Sequence, residues 1–317
     1  MKAKDYIWPV VGVGAAVFSG WLLYKEVRGL SLDDLVDSIA AIRPHQWALS
    51  VLGAVVAYAA LAAYDRVALM HLGRRLPWPF VALTSFTTYA LSHNIGASVL
   101  SGAVIRYRAY TSRGLTGGEV GVLVALCSMT FIIGAVLLIG LLLILEPHVL
   151  RRFVEDAPLG LARGAGVFIF ALLALYVWGS LKGLPPIHRW GVVVQYPRPN
   201  VVGWQLVVAP IEIIGAAAII HFALPEAGNP GYFVVLGIFV TSFSVALLSH
   251  APGGLGVLEL LFLTGLPEMR EADVLAALLV FRLLYLLIPF ALSIVVVLLF
   301  ERRQFAHGRL RPAERRE

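Results

Sequence analysis

Charge is scarce in this chain. Asp, Glu, Lys and Arg make up 14% of its 317 residues, against about 25% in an ordinary soluble domain. With 59% hydrophobic residues beside that shortage, a water-soluble fold is excluded, because a chain of this length could not hide so many apolar side chains. Cysteine is nearly absent too. The single Cys127 excludes an intrachain disulfide and, inside an apolar run, reads as a small buried side chain. No Cys cluster, His-Glu-x-x-His stretch, P-loop or dinucleotide fingerprint occurs, so no cofactor and no ATP-driven step within this chain is expected. The net charge of +6 would suit nucleic acid, yet most Lys and Arg sit at the ends of apolar segments. Their expected partner is the anionic membrane surface, with no nucleic acid.

Long apolar runs are what the chain has in their place. Those at 7–24, 46–69, 120–145, 164–181, 201–224 and 274–300 approach or exceed the roughly 20 residues that cross about 30 Å of hydrocarbon. The first could be a signal peptide, but its core is long and no small-x-small cleavage site follows, so it reads as a retained helix. Ser31-Leu32-Asp33-Asp34 opens like a capping box, and Leu32, Leu35, Val36, Ile39 and Ile42 follow at helical spacing, which predicts a short helix on the surface. Gly134 and Gly140 are expected as small packing positions within the third run.

Two further apolar stretches are interrupted. Leu248-Ser249-His250-Ala251-Pro252-Gly253, continuing as Gly254-Leu255-Gly256, breaks one where a spanning helix should be continuous. Leu91-Ser92-His93-Asn94-Ile95-Gly96 repeats the pattern 157 positions earlier, too soon after residue 80 for a crossing. Backbone freed by a break cannot face lipid, so each must be enclosed by protein. A re-entrant hairpin fits both. With the amino terminus inside, that topology places sixteen of the 25 Lys and Arg in the cytoplasm, in agreement with the positive-inside rule. The fold class expected is therefore an all-α polytopic integral membrane protein, a single transmembrane domain with about six full spans and two re-entrant broken hairpins. The hairpins are entered from opposite faces, which makes an inverted repeat of about 1–145 and 146–300, followed by a basic cytoplasmic tail at 301–317.

Asp65, Arg106, Glu212, Glu259 and Arg282 lie in or near membrane depth. A charge at a helix centre costs roughly 2.5–3.5 kcal/mol on insertion scales, so each must pair or face water. Acid–arginine pairs that merely lock the bundle are the plainer explanation, favoured for Arg66 and Arg108, which lie near a boundary and can snorkel, whereas for the other five a functional role is expected. His93 and His250 supply two imidazoles without a third ligand, so no metal site is expected. The second half-helix of each break would offer N–H groups and a positive dipole end to an anion such as a lipid phosphate, with Gly253 and Gly254 allowing close approach. Gly96-Ala97-Ser98 and His250 also loosely match the serine and histidine motifs of rhomboid intramembrane proteases, although Val99 stands where a glycine normally follows the serine.

At these residues the chain resembles the transmembrane region of the bacterial lysylphosphatidylglycerol synthase/flippase (MprF) family. The matching stretches are Ala63-Tyr64-Asp65, Gly102-Ala103-Val104-Ile105-Arg106, Pro210-Ile211-Glu212, Pro252-Gly253-Gly254-Leu255-Gly256-Val257-Leu258-Glu259 and Phe281-Arg282-Leu283-Leu284-Tyr285 with Pro289. The resemblance implies a flippase-like phospholipid translocase of the bacterial cytoplasmic membrane with both termini cytoplasmic, moving a headgroup that is aminoacylated in the family. It implies that Asp65, Arg106, Glu212 and Glu259 line the cavity; His93, His250, Gly253, Gly254 and Arg282 complete the expected substrate-binding set. The chain ends soon after Phe300, so no synthase activity is expected, and a separate lipid synthase or a second copy of the chain are further partners the reading admits. An intramembrane enzyme built on Ser98 and His250, or a non-catalytic scaffold for a synthase, are the alternatives.

Overall fold

The computed structural model of the chain describes residues 32–95, 98–154, 157–184, 187–189, 192–249 and 256–309. The expected first span at 7–24, the residues His250, Gly253 and Gly254, and the end of the tail lie outside the described residues.

The chain is helical because apolar backbone in a bilayer must satisfy its own N–H and C=O groups. In order, α1 is Leu32–Ala40, α2 Pro44–His71, α3 Trp78–Ile95, α4 Ser98–Thr111, α5 Gly117–Leu145, α6 His148–Arg151, α7 Leu159–Leu181, α8 Pro199–Ala223, α9 Tyr232–Ser249, α10 Val257–Gly265 and α11 Glu271–Phe281. A π-helical segment, Arg282–Leu287, joins α11 to α12, Ile288–Arg309. Five helices are long and apolar enough to cross a membrane: α2, α5, α7, α8 and the continuous rod Glu271–Leu299. They match five of the six expected runs, and the protein is a multi-pass membrane protein. The basic loop before α8 also carries a small antiparallel hairpin, β1 Ile187–Arg189 with β2 Val192–Val194, which apolar periodicity did not announce.

Helices α2 and α8 run antiparallel through the middle. Their backbones meet at Gly53 and Gly215, where a Cβ on either would stand 2.8 Å from the other's carbonyl oxygen. Lipid tails are as apolar as leucine, so close approach and hydrogen bonds do the work of association. Gln46 Nε2 donates to the Leu224 carbonyl, Ser50 Oγ to Ile219 and Tyr64 OH to Ala209, along most of the seam. Gly134 of α5 lies against Ala209, and Gly140 against Ile169 of α7, as small packing positions should.

Contacts sort the loops to two ends. At one, Arg74 reaches Glu119 at 2.8 Å, and Thr116 and Glu119 form the capping box that starts α5. At the other, Arg43 reaches Glu226 at 3.2 Å, Arg152 reaches Glu268 at 2.8 Å, and Ser38 donates to Asp273. Helices α3 and α4 fold back on each other, since Gly102 faces Thr88 and Ser92, and the Tyr110 ring stands edge-on to Phe80. That hairpin opens at the Arg74 end. Helices α9 and α10 fold back likewise, with Gly265 against Ile238, and open at the Glu226 end.

Several expectations need correction. Ser92, His93 and Asn94 are helical, within a helix that runs to Ile95, the last residue described before 98. Helix α3 is thus 18 residues, about 27 Å at 1.5 Å per residue, deeper than the interruption at Ser92 implied. Local polarity misled there because Ser92 Oγ and Asn94 Nδ2 donate back to the Thr88 and Ala90 carbonyls, which leaves the helix intact. In α1, Leu35 and Ser38 are buried against α11 while Val36 is exposed, and the helix stops before Ile42. The last span is not uniform either. A π-segment departs from the usual i→i−4 bonding, and two of its carbonyls take side-chain donors: Tyr58 OH to Tyr285 at 2.9 Å and Asn94 Nδ2 to Leu286 at 3.1 Å.

Candidate functional site

Arg106 and Tyr110 stand one turn apart on α4 and both reach Asp65 on α2. Arg106 Nη2 donates to Asp65 Oδ1 at 2.6 Å and its Nε sits 3.2 Å from both carboxylate oxygens, while Tyr110 OH donates to Oδ2 at 2.6 Å. Cys127 of α5 adds its thiol at 3.4 Å from Oδ1. The guanidinium also lies over the Tyr89 ring, 4.7 Å from its centre, a cation–π contact of α4 with α3. Gly102, one turn earlier, lets α4 sit this close: a Cβ there would be 2.9 Å from Ser92 Oγ.

The second hairpin carries its own pair. Arg282, the first residue of the π-segment, donates through Nε to Glu259 Oε1 at 3.0 Å and through Nη2 to the same oxygen. Glu259 Oε2 accepts from the Gly256 backbone N–H at 2.9 Å. Gly256, at φ +78°, is the N-cap of α10, so the anion at that helix start is the chain's own Glu259. Both pairs are buried.

Between them sits Glu212, in the middle of α8 and 2% exposed. Its Oε1 accepts the Tyr285 hydroxyl at 2.6 Å, whereas Oε2 is buried with no hydrogen-bond partner among the described residues. Tyr285 stacks on Phe281 and on His93, the latter with ring centres 5.3 Å apart, and lies tilted against Tyr58. His93 Nδ1 is likewise buried and unpartnered. Of the expected site residues, the structure therefore brings Asp65 to Arg106, Glu259 to Arg282, and His93 to Glu212 through Tyr285. The thiol beside Asp65 and the tyrosines Tyr58, Tyr89, Tyr110 and Tyr285 were not anticipated as parts of these clusters. A signal existed for the tyrosines, since Tyr58 lies seven residues before Asp65, Tyr110 four after Arg106, Tyr89 four before His93 and Tyr285 three after Arg282, each at a spacing that shares a helical face. Among the described residues no group of three His, Cys, Asp or Glu could hold a metal ion. Arg66 is exposed and donates to the Leu76 carbonyl, the boundary role expected of it.

An apolar helical body that buries four acids and two arginines among its described residues defines a multi-pass membrane protein with a polar interior. No known family model matches the chain. It is, however, 30% identical over 307 residues to the Synechocystis protein slr0712, covering 94% of this chain and 93% of that one. It is 29% identical over 266 residues to the inner membrane protein YbhN of Escherichia coli, covering 80% of each. It is also 24% identical over 305 residues to the phosphatidylglycerol lysyltransferase of Staphylococcus aureus, matching 93% of this chain but 34% of that protein. The chain belongs to the MprF-related family of membrane proteins that includes slr0712.

Proposed function

We propose that the protein is a phospholipid translocase that carries a lipid headgroup between leaflets of the bacterial cytoplasmic membrane. The observation that carries this reading is the pair of helical hairpins opening at opposite ends, each tied to a long helix by a buried acid–arginine pair, with Glu212 between them. Charges this deep are expensive, and a buried ion pair is a poor way to gain stability over well-packed apolar side chains. Their use is clearer if a headgroup exchanges with them. A phosphate would take Arg106 or Arg282 from its acid, an amine on the headgroup would take the released Asp65 or Glu259, and the acyl chains would stay in lipid. His93, His250, Gly253 and Gly254 would line the passage at the two interruptions.

In this reading the hairpins are re-entrant and belong to two inverted halves that rock about the centre. The Arg74 end, with Arg74, Arg75, Lys182 and Arg198, is cytoplasmic by its basic charge, and so are both termini. Two relatives support the assignment in kind: one is named for the inner membrane and the other for lysine transfer to phosphatidylglycerol. An anionic glycerophospholipid or its aminoacylated derivative is the substrate class we assign. The test is movement of fluorescent phosphatidylglycerol in proteoliposomes, comparing wild type with Arg106→Lys and Arg282→Lys, which keep the charge but lose the fork. Folded variants are expected to move lipid at least about tenfold more slowly, a transition-state loss of roughly 1.4 kcal/mol. Variants as fast as wild type would count against the headgroup exchanging with these arginines.

A further inference from the structure

We propose that Glu212 is a proton-binding site, and that its carboxyl takes up one proton from water and releases it again during each passage of a headgroup. The step forms and breaks only the O–H bond on Oε2. This inference rests on the translocase reading for its coupling, but the proton site itself stands on geometry alone.

The two buried arginines are already matched, Arg106 by Asp65 and Arg282 by Glu259. Among the described residues four acids are buried; Asp273, near a loop, has Arg270 and Ser38, which leaves Glu212 as the one without a cation and with a second oxygen that has no hydrogen-bond partner. Tyr285, Tyr58 and Tyr64 face it, and the polar groups on the helices packed around it can be named in turn. From α2 come Tyr58, Tyr64 and the paired Asp65; from α5, Cys127, which is turned to Asp65; from α7, Tyr176, which donates to Gln205 on α8. The α11 rod offers Tyr285 and the paired Arg282, α9 presents Thr241 and Ser242 donating to their own helix, and α3 offers His93 across the Tyr285 ring. None of these gives the carboxylate a cation of its own. An ionised carboxylate so placed is strongly disfavoured without a counter-charge. The counter-charge this site can take is a proton. A neutral Glu212 fits the arrangement seen here, and an ionised one requires water or the headgroup's amine to arrive.

The experiment uses the full chain in proteoliposomes with fluorescent phosphatidylglycerol and an imposed pH gradient, beside infrared spectra of the same samples. With one proton moved per lipid, a gradient of one pH unit is expected to bias the lipid between leaflets by up to about tenfold. Wild type should show the bias, and any movement left in Glu212→Gln should show none. The spectra should contain a protonated-carboxyl C=O band that changes with pH and is lost in Glu212→Gln. If that variant is inactive, loss of the band upholds the site. Wild-type movement indifferent to the gradient, or a bias retained in Glu212→Gln, overturns coupling while leaving the translocase standing. If wild type moves no lipid under any gradient, the translocase reading fails, and the band alone decides: its presence and loss uphold the proton site, its absence or indifference to pH overturns it.

Discussion

The two hairpins solve one problem with opposite signs. In the first, the returning helix α4 brings the arginine and the long helix α2 the acid; in the second, α10 brings the acid and the rod α11–α12 the arginine. The surroundings differ more than the pairs do. Asp65 has two further side-chain donors, Tyr110 and Cys127, whereas the further donor to Glu259 among the described residues is a backbone one, Gly256. Arg106 sits on a regular helix and Arg282 at the start of a π-segment. The first pair is thus embedded in a network, and the second joins a helix start to a bonding irregularity. Any movement of the hairpins should begin at the second.

Removing each arginine tests that contrast most strongly. Losing one partner of a buried pair costs about 3–5 kcal/mol. Arg282→Met is expected at the upper end of that range and Arg106→Met at the lower, because Asp65 retains Tyr110 and Cys127. Unfolding in mixed micelles would measure both, and an equal or reversed order would remove the distinction between the hairpins. Next come the close contacts inside each hairpin. Gly102→Ala should cost about 1–3 kcal/mol, since the new methyl meets Ser92 and Thr88 and crowds Arg106; Gly265→Ala meets one side chain, Ile238, and should cost about 1 kcal/mol, the lower end of that range. The same unfolding series reads the difference.

Asn94→Ala cuts the link from the first hairpin to the π-segment. It leaves the Leu286 carbonyl without its side-chain donor, and a loss of about 1–2 kcal/mol is expected, together with faster amide exchange in 282–287. If exchange there is unchanged, the two hairpins are not joined through Asn94. The smallest effect should be at the surface. Arg43→Ala removes an exposed pair with Glu226, side chains 63% and 68% accessible, and thermal unfolding should move by no more than about 1 kcal/mol.

Much of the fold was legible because hydrophobic length is a property of the chain itself. Five of the six expected spans stand where their apolar runs are, and Gly134 and Gly140 pack as small positions. The surface helix was legible in outline but not in facing, since whether Leu35 or Val36 turns inward depends on α11, a helix some 240 residues away. Legibility failed wherever a polar group answers to a distant partner. Ser92 and Asn94 look like helix breakers in sequence, yet inside a helix they bond the preceding turn. Cys127 read as inert, and it is buried, but its sulfur faces Asp65.

By itself, the sequence determined that this chain lives in a membrane, roughly where it crosses, and which few charges had to be accounted for there. Apolar run length and the cost of burying charge need no tertiary information. Only the three-dimensional structure decided which acid meets which arginine and that Glu212 is left over. Pairing depends on helices some 23 to 73 residues apart crossing at the right height, and nothing local in the sequence encodes that height.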